Sequence, residues 1–202
     1  MRVLFITSHV TSNKHPAFFK PNKQTGFGYM VHDIANEVGK NVDVDVFCSI
    51  IFSPSLKIGN YNVIGHNLWS MLKYFRCEEI RDMFSYIKKY QPSSFKTLIK
   101  VIGKYLIFNK VDSIVDNYDF VHIHGITDST YPAVDLCIRH KIPFLVTLHG
   151  LNSFESNINE DPQLKKLERD FLFRSYVENI PISFISTGNI QTCEDFLNNN
   201  RI

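Results

Sequence analysis

Two stretches of this chain end a run of apolar residues in His-Gly: Tyr118-Asp119-Phe120-Val121-His122-Ile123-His124-Gly125 and Phe144-Leu145-Val146-Thr147-Leu148-His149-Gly150. Each reads as a buried strand that delivers an imidazole and a flexible turn at its carboxyl end. An imidazole both donates and accepts hydrogen bonds near neutral pH, so it suits proton transfer, metal ligation or recognition of a hydroxyl. His122 and His124 alternate along one strand and share a side, a spacing that metals use. With His149 and Asp128 they could form a site of three histidines and a carboxylate. A histidine at a strand end can equally serve only to satisfy backbone groups.

Gly26-Phe27-Gly28 is the second chemical feature. Glycines entering a helix let the backbone come close to a phosphate and present amides where the helix dipole favours anions. The same pair can be a plain tight turn. A dinucleotide fingerprint requires a further glycine three residues after Gly28, where Val31 stands, and a strand directly before.

These residues need a scaffold, and the pattern supplies one. Arg2 to Ser8 reads as a first strand, and His9 to Thr25, with Pro16 and Pro21, as a loop longer than connections usually are. Helix follows from Phe27 to Lys40, a strand from Val42 to Cys48 and a short strand from Asn60 to Gly65. Helical spacing covers Leu68 to Tyr90, stopping at Pro92, and Ser94 to Val115. A helix from Tyr131 to His140 separates the two His-Gly strands. A helix from Pro162 to Val177, a strand from Ile182 to Ser186 and a helix from Asn189 to Asn199 complete the chain. This order predicts an α/β fold: a three-layer α/β/α, Rossmann-like domain with a mostly parallel, doubly wound sheet. In such sheets ligands bind beyond the carboxyl ends of the strands, where the histidines stand.

The totals narrow the classes. The chain has 202 residues, 44% hydrophobic and 21% charged, so a single domain over residues 1–202 is expected. No apolar run approaches the roughly 18 residues of a membrane span. The amino end lacks a signal-peptide core, because Thr7, Ser8 and His9 interrupt it, and a cytoplasmic location is expected. Cys48, Cys77, Cys137 and Cys193 form no C-x-x-C pair and read as buried thiols. A net charge of +2 gives no reason to expect nucleic acid. The positive charge is local: Lys73 to Lys110 holds nine Lys or Arg against three acids, whereas Val111 to Ile202 holds seven against thirteen. Lys96, Lys100, Lys104 and Lys110 fall in one stripe of a helix. That pattern fits peripheral contact with the inner face of an anionic membrane, or simply a solvated outer helix.

Four segments together resemble the N-terminal domain of family 4 retaining glycosyltransferases of the GT-B fold. They are strand one with Gly26 entering the first helix; the Tyr118 to Gly125 strand; Ile142-Pro143-Phe144-Leu145-Val146-Thr147-Leu148-His149-Gly150; and Glu168-Arg169 leading to Ile182-Ser183-Phe184-Ile185-Ser186-Thr187. The third is the most specific. Where the family often has Gly-Gly at the loop, this chain has Thr25-Gly26. In that family the N-terminal domain binds the acceptor and a C-terminal domain holds most of the sugar nucleotide. The chain is similar only to the first, and the family's paired-glutamate donor motif has no counterpart in it.

The resemblance implies sugar transfer from a nucleotide-diphosphate donor to a glycan or lipid-linked acceptor, as in cell-surface polysaccharide synthesis. The donor is a co-substrate, and no cofactor or metal is implied. His149 would lie beneath the transferred sugar as the catalytic residue, and Gly26 and Gly28 would approach the diphosphate. His124, Asp128, Gly150, Glu168 and Ser186 would line the substrate cleft. Bland readings stand beside these: Glu168 with Arg169 as a surface charge pair, and Ser186 with Thr187 as the cap of the last helix. Two rival functions remain at the level of sequence. One is a non-catalytic sugar- or partner-binding module, and the other an oxidoreductase or metal hydrolase built on the histidines.

Overall fold

The structure is a computed structural model, and it describes residues 1–12, 25–49, 55–65, 80–90, 94–154 and 162–199. Among these residues seven strands form one sheet: β1 (Arg2–Thr7), β2 (Asp43–Cys48), β3 (Leu56–Ile58), β4 (Tyr61–Ile64), β5 (Phe120–His124), β6 (Phe144–Leu148) and β7 (Ile182–Phe184). Among the described residues six helices accompany them: α1 (Gly26–Val38), α2 (Ile80–Tyr90), α3 (Phe95–Val115), α4 (Pro132–His140), α5 (Pro162–Glu178) and α6 (Thr187–Asn199). The spatial order is β3-β4-β2-β1-β5-β6-β7, parallel throughout except for the antiparallel β3–β4 pair. This is the α/β, Rossmann-like, mostly parallel sheet expected from the sequence.

The chain order reverses between β1 and β5. From β1 it runs outward through β2 and β4 on one side, then returns to build β5, β6 and β7 on the other. That reversal opens a crevice at the carboxyl ends of the two central strands. β1 lies at the centre and is buried on both faces, which is why it reads as the unbroken apolar run Val3-Leu4-Phe5-Ile6.

Alternation along the strands sorts side chains into two cores. Leu4, Ile6, Phe47, Val121, Ile123, Val146 and Leu148 join buried residues of α3, α4 and α5 in the larger core. Val3, Phe5, Val44, Val46 and Val63 face the other way and pack with Val31 and Ala35 of α1.

Three differences from the sequence reading have simple causes. β3 lies in a stretch to which the sequence reading assigns no element: it has only three residues, but the Gly59-Asn60 turn, with Gly59 at φ +56°, closes it onto β4 as a tight hairpin. β7 ends at Phe184, short of the expected Ser186, because α6 begins earlier, at Thr187, and the Ser186 Oγ accepts a hydrogen bond from the Asn189 backbone N–H at 3.2 Å.

The third concerns α3, where two lysines of the expected basic stripe, Lys104 and Lys110, are engaged within the protein. Lys110 is buried, and its Nζ donates to the Gly65 carbonyl at 2.6 Å, while Lys104 pairs with Asp128. Tyr105, Leu106, Ile107 and Phe108 are all buried, as expected of a helix covered on several sides by the sheet, α2 and α4. The side chains of Lys96 and Lys100, residues 68–79 of the expected helix before α2, and most of the loop after β1 lie outside the described residues. Among the described residues, no helix is long and apolar enough to cross a membrane. Cys48, Cys137 and Cys193 are buried free thiols, and burial pushes the first two up to about 12.

Candidate functional site

On the α1 side of the sheet the apolar lining gives way to polar groups near the crevice. β1 and β5 pair in register so that Phe5 lies beside His122 and Thr7 beside His124, and β5 and β6 pair so that His124 lies beside Thr147. His122 and His124 therefore share one side, as their spacing predicts, with ring centres 4.0 Å apart. Phe5 lies against both rings, at 5.0 and 4.8 Å. His122 Nε2 shares a 2.7 Å hydrogen bond with the Thr147 hydroxyl.

His149 follows the end of β6 and meets His124 directly. His124 Nδ1 and His149 Nε2 are 3.1 Å apart, sharing one hydrogen bond, and the rings are stacked with centres separated by 5.3 Å. Between the two strands, Gly125 takes φ +72°, a region disfavoured for residues with a Cβ, and its N–H donates to the Thr147 carbonyl at 2.8 Å. The turn thus leaves the sheet immediately after His124.

Burial is the main reason all three imidazoles resist protonation. It lowers His122 and His149 to about 4, with the neighbouring His149 adding to the effect on His122. His124 is fully buried, and burial holds it well below the ordinary histidine range, reinforced by His122 and His149. At neutral pH the cluster is uncharged.

His124 and His149 line a cavity of about 310 Å³ at the β1/β5 switch point. That is at the small end of ligand sites, which run from roughly 300 to 1,000 Å³. Its walls come from the ends of three strands: Ser8 and His9 after β1, His124 to Thr127 after β5, and Leu148, His149 and Gly150 at β6. Phe27 of α1 and Glu168 of α5 complete it. Phe27 meets the His149 ring edge to face at 4.7 Å and packs on His9 at 5.2 Å. His9 is fixed by the Ser8 hydroxyl on Nδ1, at 2.9 Å, and the Thr25 hydroxyl on Nε2, at 2.6 Å.

Four of the residues singled out in the sequence, His149, His124, Gly150 and Glu168, thus line one cavity. Glu168 is not part of a surface charge pair. It is buried, and its Oε2 accepts a 2.6 Å hydrogen bond from the Ser153 backbone N–H. Arg169 donates to the Ser153 carbonyl at 2.9 Å, so the two residues hold the short 3-10 turn Asn152–Phe154 behind the cavity.

Gly26 and Gly28 flank the cavity residue Phe27. Only Gly28 is required by space: a Cβ there would lie 2.2 Å from Thr11 Oγ1, whereas one on Gly26 would meet nothing within 4 Å. Thr25 caps the helix, accepting from the Gly28 N–H at 3.1 Å. Asp128 lies outside the cavity wall, exposed and paired with Lys104. Ser186 also lies outside it and caps α6.

Ser8, His9 and Phe27 were not singled out. The rule that selected His149, a polar residue just past a buried strand, applies equally to Ser8 and His9 after β1. Phe27 carries no such signal.

Three nitrogens of the histidine cluster are already committed within the protein, His122 Nε2 to Thr147, and His124 Nδ1 and His149 Nε2 to each other. Among the described residues there is no group of three or more His, Cys, Asp or Glu side chains disposed to hold a metal ion. The buried side-chain polar atoms without a protein partner, again among the described residues, are His124 Nε2, His149 Nδ1 and Ser153 Oγ. All three belong to the cavity or to the turn that Glu168 holds against it. Buried polar groups are nearly always paired, so a cluster of exceptions in one place marks a site suited to a polar ligand. No known protein family model matches the sequence, and no curated protein is similar to it.

Proposed function

We propose that this chain is the acceptor-side, Rossmann-like half of a retaining glycosyltransferase, acting on a nucleotide-diphosphate sugar and a glycan or lipid-linked acceptor. The observation that carries the reading is the neutral His124–His149 pair. It lies at the switch point of the sheet, with unpaired nitrogens, in a cavity that Glu168 also lines. A sugar ring is uncharged and presents hydroxyls that both donate and accept, which suits uncharged imidazoles better than it suits cations. Phe27, in the first turn of α1, supplies an apolar wall for a ring face, and the positive end of the α1 dipole beside it suits a departing diphosphate.

In this reading His149 hydrogen-bonds a hydroxyl of the transferred sugar and holds it in place as the diphosphate leaves. Glu168 holds the Asn152–Phe154 turn in place and adds a carboxylate to the wall. Transfer also requires a donor-binding domain, since the described cavity is formed at one domain's strand ends.

The test is release of nucleoside diphosphate from UDP-, GDP- and ADP-hexoses by the full-length protein with membrane or glycan extract as acceptor, with the anomer of the product determined. Acceptor-dependent release with retained configuration is expected. Binding of a hexose without release would instead favour a sugar-binding module, and no interaction with any of these donors would remove the reading.

A further inference from the structure

The contact between the two central histidines limits their protonation more than either residue alone suggests. Each neutral imidazole carries one N–H, and here Nδ1 of His124 faces Nε2 of His149 at 3.1 Å. If His124 donates, it is the Nδ1–H form, and His149, accepting on Nε2, must also be the Nδ1–H form. If His149 donates from Nε2, both are Nε2–H forms. The two residues must therefore share one tautomer.

The surroundings distinguish the two arrangements. Either one leaves one N–H and one bare nitrogen without a protein partner, on His124 Nε2 and His149 Nδ1. In the Nε2–H arrangement the stranded N–H belongs to His124, which is 0% exposed and packed against Phe5 and His122. In the Nδ1–H arrangement it belongs to His149, whose Nδ1 is itself buried but whose ring as a whole is partly exposed in the cavity wall. A buried N–H without an acceptor is among the rarest features of folded proteins, so the form that leaves the donor on the less buried ring is favoured.

We propose that His124 is a positioning residue that acts through His149, donating from Nδ1 and so fixing His149 as an Nδ1–H hydrogen-bond donor. The free side chain in water prefers the opposite tautomer, so this donor exists because of the contact. Its use on a sugar oxygen rests on the function proposed above. The tautomer itself does not, and it can be measured without any ligand.

The experiment is nitrogen-15 NMR of the imidazoles at pH 7 in histidine-labelled protein, assigned by single substitution. The expected result is that His124 and His149 both show protonated Nδ1 and bare Nε2. In His124→Phe, which keeps an aromatic ring but offers no nitrogen, His149 should lose the Nδ1–H signature and shift toward Nε2–H. His124→Asn, whose side-chain amide can donate from nearly the place of Nδ1–H, should restore it. Different tautomers on the two residues in the wild type would overturn the proposal, and that result requires no variant to fold. So would an unchanged His149 spectrum in a folded His124→Phe. If the tautomers are as expected while no sugar nucleotide is turned over, the positioning role stands and the glycosyltransferase reading fails.

Discussion

The two faces of the sheet at β5 and β6 are built from the same strands and have opposite characters. Val121, Ile123, Val146 and Leu148 point into the larger core and are at most 1% exposed. Their alternate neighbours His122, His124 and Thr147 point toward the α1 side, where His122 bonds Thr147, His124 bonds His149 and Phe5 packs on both rings of β5. The first face gains stability from burying apolar area. The second buries polar groups, leaves two nitrogens unpaired and gains little by it. A pattern that costs stability at the mouth of a switch-point crevice is expected where the residues serve a ligand.

The sharpest way to break this comparison is to truncate one residue on the apolar face. Leu148→Ala removes a side chain 1% exposed from the larger core and should cost about 2–5 kcal/mol, read from urea unfolding. A cost below about 1 kcal/mol would mean that this face is not the stabilising one.

Acid should act mainly on the polar face. His122 and His149 are lowered to about 4, from an ordinary value near 6.5 that they regain on unfolding. Between those values the unfolded chain binds more protons than the folded one. Their contribution is therefore fully present above about pH 6.5 and lost as pH falls toward 4, on the order of a few kcal/mol for the cluster. The urea midpoint should fall over this range in the wild type, and less steeply in His149→Ala. Equal slopes would show that this imidazole is not held neutral by the fold.

A smaller effect separates the two glycines of α1. Gly28→Ala drives a Cβ into Thr11 Oγ1, and should cost roughly 1–3 kcal/mol. Gly26→Ala meets nothing and should be neutral or stabilising by up to about 1 kcal/mol. Thermal unfolding of both variants checks the order. Equal losses would mean that the amino end of α1 does not approach Thr11 closely.

Much of this arrangement was legible in the sequence because strands and turns leave local marks. The apolar runs ending in His-Gly gave β5 and β6 to within a residue or two, and period-two alternation put His122 and His124 on one side. The direct bond from His124 to His149 was not legible. It joins residues 25 apart and depends on the register of two parallel strands, which nothing local sets. Glu168 stood out only through the resemblance of its segment to a known family. Its burial depends on the fold of the turn at Asn152–Phe154, which short-range periodicity does not encode. Ser186 and Lys110 erred in the other direction: a serine after a strand fits a cleft or a helix cap, and a lysine in a helical stripe fits a surface or a buried bond to a carbonyl. In both cases tertiary contacts decided.

The most direct test of the central claim measures stability and function in one variant, His149→Ala in the full-length protein. The account predicts unfolding free energy lowered by only about 1–3 kcal/mol, the cost of leaving the buried His124 Nδ1 without its partner, together with nucleoside-diphosphate release lowered on the order of 100-fold. Wild-type release in a variant that has lost several kcal/mol of stability would contradict it, and would make the polar face a structural feature.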